Sequence, residues 1–261
     1  GFAKAYQEYA EGGWIGLSCD PQYGGQGMPG ALNVLMEEMA CSANVSFATY
    51  VGLTRGAYRA INTFASDEIK ERYLPKMVSG LWSGTMCLTE PQCGTDLGLI
   101  RTKAVPADDG SYQLTGTKIF ITAGEHDLTE NIIHLVLARL PDAPAGIKGI
   151  SLFLAPKFLP NAEGEVGDRN TMRCARIENK MGIKASATCE MSLENTQGWL
   201  IGGPHKGMRA MFAMMNDARL GVGIQGLGIG ESAYQAAVEY AKDRQQGPPL
   251  TGTHSPYSPP D

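Results

Sequence analysis

From Gly207 to Arg244 the sequence keeps a helical period for nearly forty residues, and that stretch constrains the fold more than any other. At ~1.5 Å per residue such a helix is over ~50 Å long, too long for a small domain to cover alone. It needs neighbours along its whole length. After it comes only Gly247 to Asp261, a tail rich in proline (Pro248, Pro249, Pro256, Pro259, Pro260) that reads as a linker. The chain also starts with Gly1 rather than methionine, so the expectation is a fragment lacking its start and the rest of a helical bundle.

The stretches before that helix differ in kind. Phe2 to about Gly80 has mostly helical periodicity. Pro29 suits a first helical turn before Ala31 to Ala40, and Ser66 reads as an N-cap ahead of Asp67, Glu68 and the later bases. The small-residue run Cys41 to Ala60 reads as one buried helix. From Ser83 to Asn195 the pattern turns to short alternating segments, with Asp108-Asp109-Gly110 as a hairpin turn. Strands at short spacing without intervening helices predict an antiparallel sheet or barrel. Pro156 to Asp168 has no period and is expected to be a surface loop. The fold class is therefore α+β: a helical N-terminal region (1–82), a central antiparallel β-domain (83–198) and the start of a C-terminal helical bundle (199–261).

Composition excludes several functions. Of 261 residues, 22 are basic and 27 acidic, a net charge of −5 that argues against nucleic-acid binding. No apolar run approaches the ~18 residues of a membrane span. Six cysteines without a CxxC pair, and four scattered histidines, predict no metal site and free thiols in a reducing cytoplasm. Two matches to the GxGxxG dinucleotide pattern are rejected. Gly25 to Gly30 lacks a preceding strand and a following acid, and Gly221 to Gly226 lies inside the long helix. Glycines 221, 223, 226, 228 and 230 there fit close approach of another helix instead.

The segment Met86-Cys87-Leu88-Thr89-Glu90-Pro91-Gln92-Cys93-Gly94-Thr95-Asp96 joins a strand end to a loop of hydroxyls and free backbone N–H groups. Such a loop can bond the edge of a flat heteroaromatic ring or a pyrophosphate, although a Pro/Gly turn of purely structural role has the same composition. The segment resembles the signature of the acyl-CoA dehydrogenase family: small residue, aliphatic, Ser/Thr, Glu-Pro, then Gly-Ser/Thr-Asp. Cys93 and Leu99 depart from it. Three more elements stand in family order: Pro21 to Gly27, Lys118 to Thr122, and Asn216-Asp217-Ala218-Arg219 before a glycine-rich helix. Pro156 to Pro160 and Met214 to Leu220 look most like the longer branch of the family, the one that includes 3-methylmercaptopropionyl-CoA dehydrogenase.

The resemblance implies an FAD enzyme of fatty-acid metabolism that removes the α-proton of an acyl-CoA with a glutamate while a β-hydride passes to the flavin. It further implies that Met86, Leu88, Thr89, Gly94 and Thr95 border the flavin and the acyl-CoA. Phe120 stands where a tryptophan is usual, and Thr122 bonds the flavin. Thr95, Asn216 and Arg219 fall to the substrate, and Arg244 to the FAD of a neighbouring subunit in a homo-oligomer. An electron-transfer flavoprotein is the implied acceptor. Acyl-CoA oxidase activity with O₂, and a non-catalytic relative that binds CoA thioesters, are the alternatives.

The remaining residues carry plainer expectations. Met211, Met214 and Met215 read as core, Glu90 as a structural loop residue, and Glu37 and Glu38 as solvated. Arg219 has the alternative of pairing with an acid in the helical core. The resemblance implies that a minority of the family carries the base at the position of Ala218, which cannot take a proton, and neighbouring Asp217 should point elsewhere. No catalytic base is assigned within the chain; the glutamate is expected downstream. Expressed alone, the 261-residue chain is expected to show no bleaching of its flavin by a saturated acyl-CoA under anaerobic titration.

Overall fold

The computed structural model describes residues 1–244; the proline-rich tail expected from Gly247 to Asp261 lies outside the described residues. Among the described residues, four helices and nine strands follow the expected order: α1 (Phe2–Glu11), α2 (Ala31–Phe64), α3 (Asp67–Val78), β1 (Trp82–Cys87), β2 (Lys103–Pro106), β3 (Tyr112–Thr122), β4 (Asn131–Arg139), β5 (Ile150–Pro156), β6 (Phe158–Pro160), β7 (Val166–Arg169), β8 (Arg173–Ile177), β9 (Thr188–Ile201) and α4 (Gly207–Asp243). None of these helices is long and apolar enough to cross a membrane, and among the described residues no cluster of His, Cys, Asp or Glu could hold a metal ion. All six cysteines are free.

Seven strands form one sheet in the order β1-β4-β2-β3-β9-β5, with β8 on β9, and β5 also pairs β4 so that the path closes on itself. Pairing is antiparallel for β2–β3, β3–β9, β4–β5, β5–β9 and β8–β9. The departure from an all-antiparallel sheet is β1, which runs parallel to β4 from Trp82↔Asn131 to Cys87↔Val136, with a single parallel pair Lys103↔Arg139 beside it. The excursion through β2 and β3 carries the chain back to the same end, so no crossover helix is needed. A second difference lies at Pro156 to Asp168. That segment is not a plain loop but holds the β6–β7 hairpin, which alternation failed to reveal because its strands are only three and four residues long.

Alternation along β1 and β4 separates two cores. Trp82, Ile133, Leu135 and Leu137 face the helices, packing with Ala57, Ile61, Leu74, Met77 and Met214. Cys87, Val136 and Ala138 face the barrel interior with Leu114, Ile121, Phe153 and Met191. Both faces of β4 are thus covered, so it is buried from Asn131 to Ala138 and apolar from Ile132 to Ala138 apart from His134, which bonds Thr85 at 2.7 Å. Burying such side chains contributes roughly 1.5–3 kcal/mol each.

The small-residue helix runs further than expected, from Ala31 to Phe64, with one non-helical residue, Asn44, inside it. The Asn44 side chain accepts from the Phe47 N–H at 3.1 Å and so starts the second segment as an N-cap. Against α2 lies α4. Only some of its glycines serve that contact: a Cβ at Gly221 would overlap the Glu37 carboxylate, and one at Gly228 would sit 2.8 Å from the Glu38 carbonyl, whereas Gly223, Gly226 and Gly230 face open space. Past Gly228 no residue of α4 is buried.

Gly84 decides how closely α2 approaches the sheet. Its N–H donates to Thr54 Oγ1 at 3.2 Å, and a Cβ there would overlap the Ala57 side chain. Gly84→Val, although favourable for a strand, is expected to lower stability by about 1–3 kcal/mol through overpacking. Urea unfolding checks this, with the midpoint falling at constant slope.

Candidate functional site

Where β1 ends, the chain continues through Leu88 and Thr89 to Glu90, whose side chain is buried and bonded to Lys118 of β3 at 2.9 Å. The Glu90 carboxylate also accepts from the Arg101 N–H at 2.7 Å, the Thr102 N–H at 3.0 Å, the Thr102 hydroxyl at 2.5 Å and Gln92 Nε2 at 2.6 Å. Lys118, fully buried, donates in addition to the Leu88 carbonyl at 3.0 Å. Burial opposes ionisation of Glu90, but the Lys118 ammonium and these donors outweigh it and hold its pKa down to about 2. Glu90 is therefore a clamp, as its expected loop role implies.

The clamp fixes what surrounds it. Ile119 N–H donates to the Thr89 carbonyl at 2.9 Å, so the loop after β1 lies alongside the last residues of β3. Pairing of β3 with β9 slips between Lys118 and Ile121, and within that irregularity Phe120 adopts φ +59° and turns its ring outward, 59% exposed. A left-handed phenylalanine is strained, and such strain concentrates at functional positions. Met86 and Leu88 are half-buried against the helix-side core, as is Thr89; Gly94 and Thr95 are exposed beside it, and Gly94 is close enough that a Cβ there would sit 3.4 Å from Thr89 Cγ2. Thr122, half-buried, follows three residues after Ile119.

Thr122 also lines a cavity of about 180 Å³ between α2 and α4. Its walls are Cys41, Val45, Ala48, Gly52 and Leu53 of α2 and Met214, Ala218 and Val222 of α4. Three charged residues border it that sequence reasoning did not assign there. Arg55 donates to Glu37 at 2.6 Å and approaches Asp217 at 3.4 Å, and Asp217 pairs as well with Arg59 at 2.9 Å. Burial works against the Arg55 charge, yet the two carboxylates outweigh it and raise its pKa. Glu37 is thus not solvated, and Asp217 points into the helix–helix contact rather than away. Two arginines, Arg55 and Arg59, within the otherwise uncharged run Val45 to Ala60 were the signal available in the sequence.

Asn216 and Arg219 lie on the exposed side of α4, where Arg219 donates to Asn216 at 2.9 Å and stacks over Phe212. Arg219 pairs with no acid among the described residues. Arg244 follows the end of α4, exposed, and donates to the Tyr240 hydroxyl at 3.1 Å. Glu125 is held by Lys157 and by Arg169, the latter at 2.9 Å, and these cations lower its pKa against the opposing effect of burial.

The family models for the acyl-CoA dehydrogenase N-terminal domain and middle domain match residues 2–81 and 85–196. The chain is 49% identical over 253 residues to 3-methylmercaptopropionyl-CoA dehydrogenase of Ruegeria pomeroyi, with 97% of this chain and 43% of that protein aligned. Among solved structures, butyryl-CoA dehydrogenase from Megasphaera elsdenii superposes with a TM-score of 0.81 at 30% identity, covering 95% of this chain and 63% of that one. An acyl-CoA dehydrogenase complexed with FAD from Bacillus anthracis gives 0.79 at 27% identity, covering 94% and 40%. The chain spans less than half the length of the Ruegeria protein.

Removing Lys118 leaves the Glu90 carboxylate buried without a counter-charge, so Lys118→Met is expected to lower stability by about 3–5 kcal/mol at neutral pH. The folded pKa of Glu90 lies below its unfolded value of ~4.3, so its contribution is complete above that value and is lost as pH falls towards about 2. Urea titrations from pH 7 to pH 2 should show this acid loss in the wild type and a flatter profile in Glu90→Gln/Lys118→Met.

Proposed function

The chain belongs to the acyl-CoA dehydrogenase family, and we propose that it serves FAD-dependent α,β-dehydrogenation of an acyl-CoA thioester. The observation that carries this reading is the convergence of three features: the clamped loop after β1, the strained and exposed Phe120, and a cavity lined by Thr122. The residues present fit a flat aromatic cofactor. Thr89, Gly94, Thr95 and Thr122 supply hydroxyls and main-chain groups for a ring edge, Phe120 an aromatic face, and Met86 and Leu88 apolar contact. When bound, FAD supplies the acceptor for the hydride leaving the β-carbon.

The chain's own residues bind and orient. Thr122 lines the cavity two residues after Phe120, so its hydroxyl would bond the flavin beside the acyl group. The lining of α2 and α4 takes the acyl chain out of water. Thr95 serves both ligands, while Asn216 and Arg219, exposed on α4, are available to the thioester. A general base must reach the α-proton. Glu90, Glu125 and Asp217 each already hold cations, which supports a glutamate outside the described residues, in the C-terminal bundle that would cover Phe212, Leu220, Val222 and Leu227. We further read domain edges near residues 82 and 198, a homo-oligomer in which Arg244 reaches a neighbouring subunit's FAD, a cytoplasmic location, and an electron-transfer flavoprotein as acceptor.

In the holoenzyme, a saturated acyl-CoA added anaerobically is expected to bleach the flavin. Thr122→Val should slow this by about tenfold, through the loss of one hydrogen bond to the flavin. Rapid recolouring in air would indicate the oxidase instead. A holoenzyme that binds acyl-CoA without bleaching would be the non-catalytic relative and would overturn the proposal.

A further inference from the structure

Thr122 stands between two residues of left-handed backbone, Phe120 at φ +59° and Ala123 at φ +56°. A residue with a side chain keeps that conformation only where its surroundings leave it no alternative. On the N-terminal side those surroundings are the Glu90–Lys118 clamp and the Ile119 N–H bonded to the Thr89 carbonyl. On the C-terminal side they are different. The Ala123 N–H donates to the Ala187 carbonyl at 2.8 Å, and Thr122 pairs with Thr188. Ala187 belongs to the connection between β8 and β9, which α2 holds in place. The Tyr50 hydroxyl accepts from the Ala187 N–H at 3.0 Å and donates to the Ala185 carbonyl at 3.2 Å. Beside it the hydroxyls of Thr49 and Ser186 are 2.8 Å apart.

We propose that Tyr50 is a positioning residue for the flavin: acting through Ala187, it fixes the left-handed Ala123 and with it the placement of the Thr122 hydroxyl and the Phe120 ring. The inference rests on the proposed function, in which Phe120 and Thr122 border the flavin. The β3–β9 ladder does not fix that segment by itself. Its pairing slips between Lys118 and Ile121, and it ends at the pair Thr122↔Thr188. Beyond that pair, relief of the strain at Ala123 would let residues 120–122 turn. The Ala187 carbonyl prevents this only if Ala187 is itself stationary, and Tyr50 makes it so. Tyr50 is buried, and its ring stands edge-on to Phe2 and His126 with centroids 5.8 and 5.1 Å away. A phenylalanine would keep all of that packing and lose only the hydroxyl. Positioning is therefore separable from folding.

The test compares Tyr50→Phe with Tyr6→Phe in the holoenzyme. Tyr6 lies in the same aromatic cluster, and its buried hydroxyl donates to the Gly80 carbonyl at 3.2 Å rather than to residues 185–187. Tyr50→Phe is expected to weaken FAD binding about tenfold, the effect of one hydrogen bond, and to change the visible circular dichroism of the bound flavin, which reports how the ring is held. Tyr6→Phe should lose comparable stability in urea with both flavin readouts at their wild-type values. A third measurement needs no variant. In wild-type apoprotein, hydrogen exchange at the Ala123 and Ala187 amides should stay as slow as in the holoenzyme, because a tyrosine and not the flavin holds them. Wild-type FAD affinity and dichroism in Tyr50→Phe, equal losses in both variants, or amides that exchange quickly once FAD is removed would each overturn the inference alone. A wild-type protein that binds no FAD overturns the flavin reading together with it.

Discussion

The buried ion pair between Glu90 and Lys118 is the interaction on which the site's geometry depends. Two full charges withdrawn from water contribute little net stability, because desolvation offsets most of their attraction. What they contribute is position. The carboxylate collects donors from Gln92, Arg101 and Thr102, and the ammonium holds the Leu88 carbonyl, so five loop residues, Glu90 included, are referred to one point on β3. Any other arrangement of that loop leaves a charge or several hydrogen-bonding groups buried without partners. The exposed Phe120 and the half-exposed Thr89 and Thr122 are presented beside this rigid point rather than on a mobile strand end.

A second constraint comes from sheets and helices sharing one layer. Because β4 is buried on both faces, it can belong to the barrel and to the helix-side core at once, and β1, parallel to it, is drawn into the same plane. Gly84 lets α2 approach that plane, and Gly221 and Gly228 let α4 approach α2. The cavity is what remains where these close approaches stop. Its apolar walls and its charged end have separate origins: small residues on α2 that leave room, and an arginine that needs two carboxylates to be buried.

The sequence by itself determined the element order and the position of the loop after β1. Period 3.6 and period 2 are local properties of the chain, and the dense Thr, Gly and Pro content of Leu88 to Asp96 is a local signal too. The Asp108-Asp109-Gly110 turn was legible for the same reason, as its hairpin partners are adjacent in sequence. The β6–β7 hairpin was not, since strands of three and four residues are too short to establish a period. Nor was the parallel pairing of β1 with β4, which depends on two intervening strands. The roles of Glu37, Arg55 and Asp217 were decided only by tertiary structure. Glu37 and Arg55 lie on two segments of α2 separated by the break at Asn44, and Asp217 arrives from α4, 162 residues from Arg55. Periodicity along one helix says which way a side chain points but not what stands opposite it. An acid reads as solvated until a second helix, brought close by glycine, removes the water and supplies the counter-charge.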